Sequence, residues 1–127
     1  MKPLGPIPSG FDAIDGELAV GGIRASELVA RAGGTPLFVY SKAMIERRVA
    51  ELRSAMPGKI SIHYAVKANP YLPLLEIMKS LVDGFDIASG GELELVRRAG
   101  IDLAQVSFAG PGKRDSELEA AIEAGVT

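Results

Sequence analysis

The chain has 127 residues, 47% hydrophobic and 24% charged, with a net charge of −2, enough for one domain with a core and short for two. With no cysteine and one histidine, disulfide frameworks, thiolate zinc sites, thiol nucleophiles and histidine-rich metal sites are excluded. The charge gives no footprint for nucleic acid, no apolar run approaches the ~18 residues of a membrane span, and MKPLGPIPSG does not read as a signal peptide; a cytoplasmic protein is the default expectation.

Residues 1–22 carry three prolines and five glycines and read as an irregular or extended arm. A short helix is expected over 26–32, with Ser26 as its cap and Gly33-Gly34 as its stop. TPLFVY, 35–40, is apolar, aromatic and β-branched and reads as a strand, with Pro36 near its start. Ser41 then caps an amphipathic helix to about residue 56, with Met44, Ile45, Val49 and Leu52 on one stripe.

From there a unit recurs. Strands are predicted over 60–66, 84–88 and 105–109, and helices over 72–81, 91–99 and 116–124. Pro73 falls in a first helical turn, where a missing N–H is tolerated. The strand-to-strand spacing of just over twenty residues, with short turns, argues for a parallel sheet with right-handed crossovers.

Period-two alternation divides each strand into two faces. Ile60, Ile62, Tyr64 and Val66, then Phe85 with Ile87 and Val106 with Phe108, form a bulky face. Ser61, His63, Ala65 and Lys67, then Asp86 with Ala88 and Ser107 with Ala109, form a small, polar one. A doubly wound sheet needs apolar residues on both faces. One bulky and one small polar face suit a barrel with a functional mouth. A (β/α)8 barrel needs eight units and about 250 residues. The chain stops at Gly125-Val126-Thr127, where a fourth strand is due, so it reads as the N-terminal part of something larger. An exposed sheet edge and half-built core would make such a piece marginally stable and self-associating.

Lys67 ends the first of these strands, before Ala68-Asn69-Pro70. A lone strand-end lysine is ordinarily a solvated charge. Its register, with the apolar opposite face, favours an amine in a desolvated mouth, where a lowered pKa would expose a nucleophile for imine chemistry. Asp86 is equally a strand-end carboxylate meeting a helix N-terminus. His63 reads as an interior histidine. Ser89 and Glu92 match a capping box, and Gly110-Pro111-Gly112-Lys113 fits a barrel-mouth turn better than a P-loop.

HYAVKANP (63–70), GFDIASGGELELV (84–96) and SFAGPGK (107–113) resemble the diaminopimelate/ornithine decarboxylase family, as do TPLFVYS and the Gly-x-Thr-Pro lead-in. The resemblance covers residues 33–127, and its wording is most similar to the exosortase-associated pyridoxal decarboxylase subgroup. It implies an α/β fold: the N-terminal portion of a (β/α)8 barrel of alanine-racemase type, with about three βα units over 41–127. Residues 1–40 would be an arm and a strand of a second, β-rich domain.

The resemblance further implies decarboxylation of an amino acid with pyridoxal 5'-phosphate, in a homodimer. Lys67 would form the internal aldimine, Ala65 would leave room for the ring, and Asp86 would lie near the amine. The ring-nitrogen acid, the phosphate glycines and a cysteine-bearing segment from the partner subunit would lie beyond residue 127, leaving this piece inactive alone. An amino-acid racemase on the same barrel is the first rival, although those enzymes follow Lys-Ala-Asn with Ala-Tyr-Gly and here Pro70, Tyr71 and Leu72 follow. A non-catalytic pyridoxal-phosphate-binding protein is the second; the strand over 35–40 speaks against it.

Overall fold

A computed structural model describes Ile7 and residues 10–127; readings made on residues 1–6, 8 and 9 lie outside the described residues. The chain divides into two compact units, Met1–Glu51 and Leu52–Thr127.

In the first unit, β1 (Asp12–Ile14), β2 (Glu17–Val20) and β3 (Ile23–Arg24) form an antiparallel meander in the order β1-β2-β3. Over its described part from residue 10, this corrects the irregular arm expected over 1–22. The glycines are not breakers there but hairpin loops. Asp15-Gly16 (φ 52 and 78) and Gly21-Gly22 (φ 59 and 79) each place two successive left-handed residues between strands, the pattern of a two-residue hairpin of type I′. Helix α1 (Ala25–Ala32) follows β3 directly. Its N-cap is Arg24, not Ser26; Ser26 donates both its N–H and its hydroxyl to the Glu17 carboxylate on β2. Gly33 closes the helix at φ 80, as predicted.

Residues 35–40 belong to neither sheet, which corrects the strand expected there. Phe38 is 84% exposed; β propensity without a neighbouring strand does not make a strand. Helix α2 (Lys42–Ala55) begins at Ser41, whose hydroxyl accepts the Met44 N–H at 3.4 Å. Met44, Ile45 and Val49 are half-buried, while Leu52 is exposed.

The second unit is a parallel sheet of β4 (His63–Ala65), β5 (Gly84–Ile87) and β6 (Val106–Phe108), in that order, alternating with α3 (Leu72–Met78), α4 (Gly90–Arg98) and α5 (Asp115–Glu123). The predicted βα repeat is present. Its first strand is shorter than the expected 60–66 because both ends are diverted. At the start, Asp83 accepts the Ile62 N–H through its carboxylate at 2.7 Å and returns its own N–H to the Ile62 carbonyl at 2.8 Å. Arg53 adds a charge-assisted bond to the same carboxylate at 2.8 Å, and this guanidinium, followed by the Ile62 N–H, holds the Asp83 carboxyl below its ordinary pKa. At the far end, Val66–Ala68 tightens into a 3-10 turn.

The bulky strand face carries the core. Val66, Leu75, Ile87, Val96 and Val106 are fully buried, with Phe85 and Leu93 close behind. Tyr64 meets Phe85 edge-on at 6.0 Å between ring centres. Beyond β6, Thr127 donates its N–H to the Val106 carbonyl and accepts from the Phe108 N–H, both at 3.0 Å. That is a parallel step opposite Ser107, where the fourth strand was expected. No helix among the described residues is long and apolar enough to cross a membrane.

Candidate active site

Parallel strands of one hand deliver their carboxyl ends to a common rim, and the connections that follow carry the chemistry. On the small face, register aligns Ala65 with Asp86 and Asp86 with Ser107. The row is real at atomic level: the Ser107 hydroxyl lies 3.0 Å from Asp86 Oδ1 and 3.4 Å from the Phe85 carbonyl. It carries one proton, and the carboxylate is the nearer and stronger acceptor. All three residues are half-buried, between a closed core and open solvent.

Lys67 was expected as the last residue of the strand; it lies instead in the 3-10 turn immediately after β4. Its neighbour Val66 is fully buried in the core while Lys67 is exposed. Among the described residues the three strands leave the lysine exposed, so the desolvated mouth expected for it is not formed here. The turn is nevertheless fixed. Asn69 donates its N–H to the Val66 carbonyl at 3.1 Å, and the Tyr64 hydroxyl donates to the Asn69 carbonyl at 3.1 Å. The Asn69 side chain accepts the Tyr71 N–H at 3.1 Å, leading into α3. Tyr64 and Asn69 therefore hold the lysine turn from both sides, a role that periodicity assigned to neither.

His63 was read as an interior histidine. It is exposed at the start of β4, its ring over Gly84 of β5; the interior it was to occupy is not built by three strands. Ser89 and Glu92 cap α4 with one change of partner. The Ser89 hydroxyl accepts the Glu92 N–H at 3.3 Å, but the Glu92 carboxylate reaches past Ser89 to the Ala88 N–H at 2.8 Å. The Gly110–Lys113 segment is a turn between β6 and α5, with the Lys113 ammonium 4.9 Å above the Phe108 ring.

A residue that sequence reasoning passed over ties two of these connections together. Glu117 of α5 accepts from the Arg114 N–H at 3.0 Å and from the Gly90 N–H at 2.7 Å. Both donors favour the ionised carboxylate, Arg114 more, and hold its carboxyl below the ordinary range. One side chain thus serves the first turns of α4 and α5.

The residues present fit an aldehyde cofactor: an exposed primary amine on a fixed turn, a strand neighbour with no more than a methyl group, and a carboxylate with one oxygen bonded to protein. Comparison with known proteins agrees. The pattern of the family described as pyridoxal-dependent decarboxylase, pyridoxal binding domain, matches residues 42–127. The chain is 44% identical over 109 residues to the diaminopimelate decarboxylase of Aquifex aeolicus, covering 86% of this chain and 26% of that protein. Among solved structures, AQ1208 from Aquifex aeolicus superposes with a TM-score of 0.82 at 40% identity, over 91% of this chain and 29% of that one. Diaminopimelate decarboxylase from M. jannaschii in complex with L-lysine superposes with a TM-score of 0.75 at 31% identity, over 91% and 28%. The chain spans about a quarter of the length of the relatives it matches.

Proposed function

We propose, starting from the fact that this chain belongs to the pyridoxal-dependent decarboxylase family, that it contributes the cofactor-attachment rim of an enzyme that decarboxylates an amino acid. The observation that carries the proposal is the exposed Lys67 amine on its fixed turn, beside the row of Ala65, Asp86 and Ser107. Pyridoxal 5'-phosphate, when bound, supplies an aldehyde that an amine can hold and a ring that takes up the electrons left when carbon dioxide departs.

The chain's own residues supply attachment and orientation. Lys67 Nζ is the attachment point. Ala65, one strand position before Val66, leaves the space beneath it open. Asp86 presents a negative charge on the same face, which favours a protonated nitrogen near it. Tyr64 and Asn69 keep the lysine turn from collapsing onto α3. Substrate choice follows the relatives: a diaminopimelate decarboxylase bound to L-lysine supports a substrate whose side chain ends in an amine. A cytoplasmic homodimer completes the proposal.

The test is borohydride trapping of the cofactor on the full-length protein, read by peptide mass. The trapped mass is expected on the peptide holding Lys67, and Lys67→Ala is expected to abolish it together with carbon dioxide release. Trapping that persists at another lysine in Lys67→Ala would refute the assignment, and racemisation without carbon dioxide release would favour the racemase.

A further inference from the structure

Asp86 is half-buried on an open strand face, and a carboxylate there has rotamers to choose between. Only its Oδ1 is bonded to protein among the described residues, by the Ser107 hydroxyl at 3.0 Å; Oδ2 accepts nothing. The donor comes from the next strand, opposite Asp86 in register, and Ala65 flanks Asp86 on the other side with a methyl group that can donate nothing. The carboxylate is thus held from one side and open on the other, the side of β4 and of the turn after it. That turn carries Lys67 and borders β5.

We propose that Ser107 is a positioning residue, whose hydroxyl occupies Asp86 Oδ1 and thereby presents Oδ2 to a cationic nitrogen at Lys67. The other carboxylates past the end of β5 are held by backbone amides, Glu92 by the Ala88 N–H at 2.8 Å and Glu117 by the Gly90 N–H at 2.7 Å, while the Lys113 ammonium lies over the Phe108 ring. The ionisable groups of the strands flanking Asp86 are His63 and Tyr64 of β4, the latter on the opposite face, and Lys67 just past its end; β6 carries none. His63 pairs with Gly84, two residues back from Asp86 on the same face. The inference deepens the proposed function and rests on Lys67 being the attachment point.

A hydrogen bond to a charged oxygen both fixes its rotamer and stabilises its ionised form. Removing it frees the carboxylate to turn toward solvent and weakens its hold on a nearby cation. The experiment is a pH titration of the visible absorption of the cofactor-loaded full-length protein, for the parent and for Ser107→Ala, Ser107→Thr, Asp86→Asn and Asp86→Asn/Ser107→Ala. A nearby carboxylate raises the pKa of a protonated nitrogen, so Ser107→Ala is expected to lower the midpoint by about one pH unit, the scale of one charge-assisted bond. Ser107→Thr keeps the hydroxyl and should restore the parental midpoint. In the Asp86→Asn background the Ser107→Ala change should have no further effect, since the hydroxyl acts through the carboxylate. A Ser107→Ala midpoint equal to the parent's, or a shift that survives in the Asp86→Asn background, would overturn the proposal. Borohydride trapping on the same samples separates the two readings: trapping at Lys67 with no shift removes the role of Ser107 alone, whereas trapping elsewhere removes both.

Discussion

Gly84 is where the sheet tolerates no side chain. It opens β5, is buried, and pairs with His63 of β4. A Cβ built there would stand 2.5 Å from the Gln105 carbonyl oxygen, 2.5 Å from His63 Cε1 and 2.8 Å from His63 Nδ1. Its φ is not in the left-handed region, so the requirement is steric alone. The imidazole can swing away, because His63 is exposed. The carbonyl cannot: Gln105 closes a 3-10 turn through its N–H to Asp102 at 3.0 Å and leads directly into β6. Gly84→Ala therefore has to push β6 away by roughly an ångström to reach ordinary contact distance. Overpacking costs about 1–3 kcal/mol, with a rigid backbone obstacle at the upper end, and replacing a strand glycine returns about 0.5–1 kcal/mol. The net expectation is about 2 kcal/mol of destabilisation, or roughly thirtyfold in the unfolding equilibrium, read from urea denaturation followed by far-ultraviolet circular dichroism. Placing Gly84→Ala in a His63→Ala background should recover only the part due to the ring. A Gly84→Ala protein as stable as its parent, or complete recovery in the His63→Ala background, would refute the assignment of the carbonyl as the obstacle.

Ile87 is fully buried on the bulky face; Ile87→Ala is expected to cost about 3 kcal/mol, within the range for emptying a core position, and a loss below about 1 kcal/mol in the same denaturation assay would show that the face is not the core. Glu117 has a folded-state pKa depressed below 4.5 by the Arg114 and Gly90 amides. Its contribution is therefore present above about pH 4.5 and is lost as pH falls through the folded value. Glu117→Gln should lower the urea midpoint at neutral pH, and the gap between parent and variant should close in acid; a gap constant with pH would mean that the charge is not what the two amides recognise.

The βα repeat was legible because its signals are local and redundant: alternation in each strand, Ser89 and Ser41 at helix starts, and a regular spacing of units. What was missed in the first unit was local too. Asp15-Gly16 and Gly21-Gly22 are strong hairpin signals when each joins two short runs, yet proline and glycine density was weighed as an irregular or extended arm. Residues 35–40 failed for the opposite reason: propensity names a strand, but pairing is a property of a neighbour. Boundaries at 60–66 escaped because they are set by Asp83 and Arg53, residues 21 and 30 positions apart from their partners. In the site, the lysine and the row of small residues were legible from register. The Ser107–Asp86 bond and the double cap at Glu117 were not, since both join side chains or amides from different βα units, which no window along the chain contains.

The separation of faces is what makes one lysine on this sheet different from the others. Side chains of β5 that point toward the helices are needed to close the core, so Phe85 and Ile87 can change little without loss of stability. Side chains of the opposite set are only half-buried and carry less of that obligation. Evolution or design is free there to place a methyl group, a carboxylate and a hydroxyl side by side, and the parallel register keeps them in a row at no cost to packing. The 3-10 turn at Val66–Ala68 joins the two regimes: Val66 anchors in the core, and the next residue is exposed. A lysine whose backbone is held by its buried predecessor needs no burial of its own to be placed, which is why Lys67 can be exposed on a fixed turn.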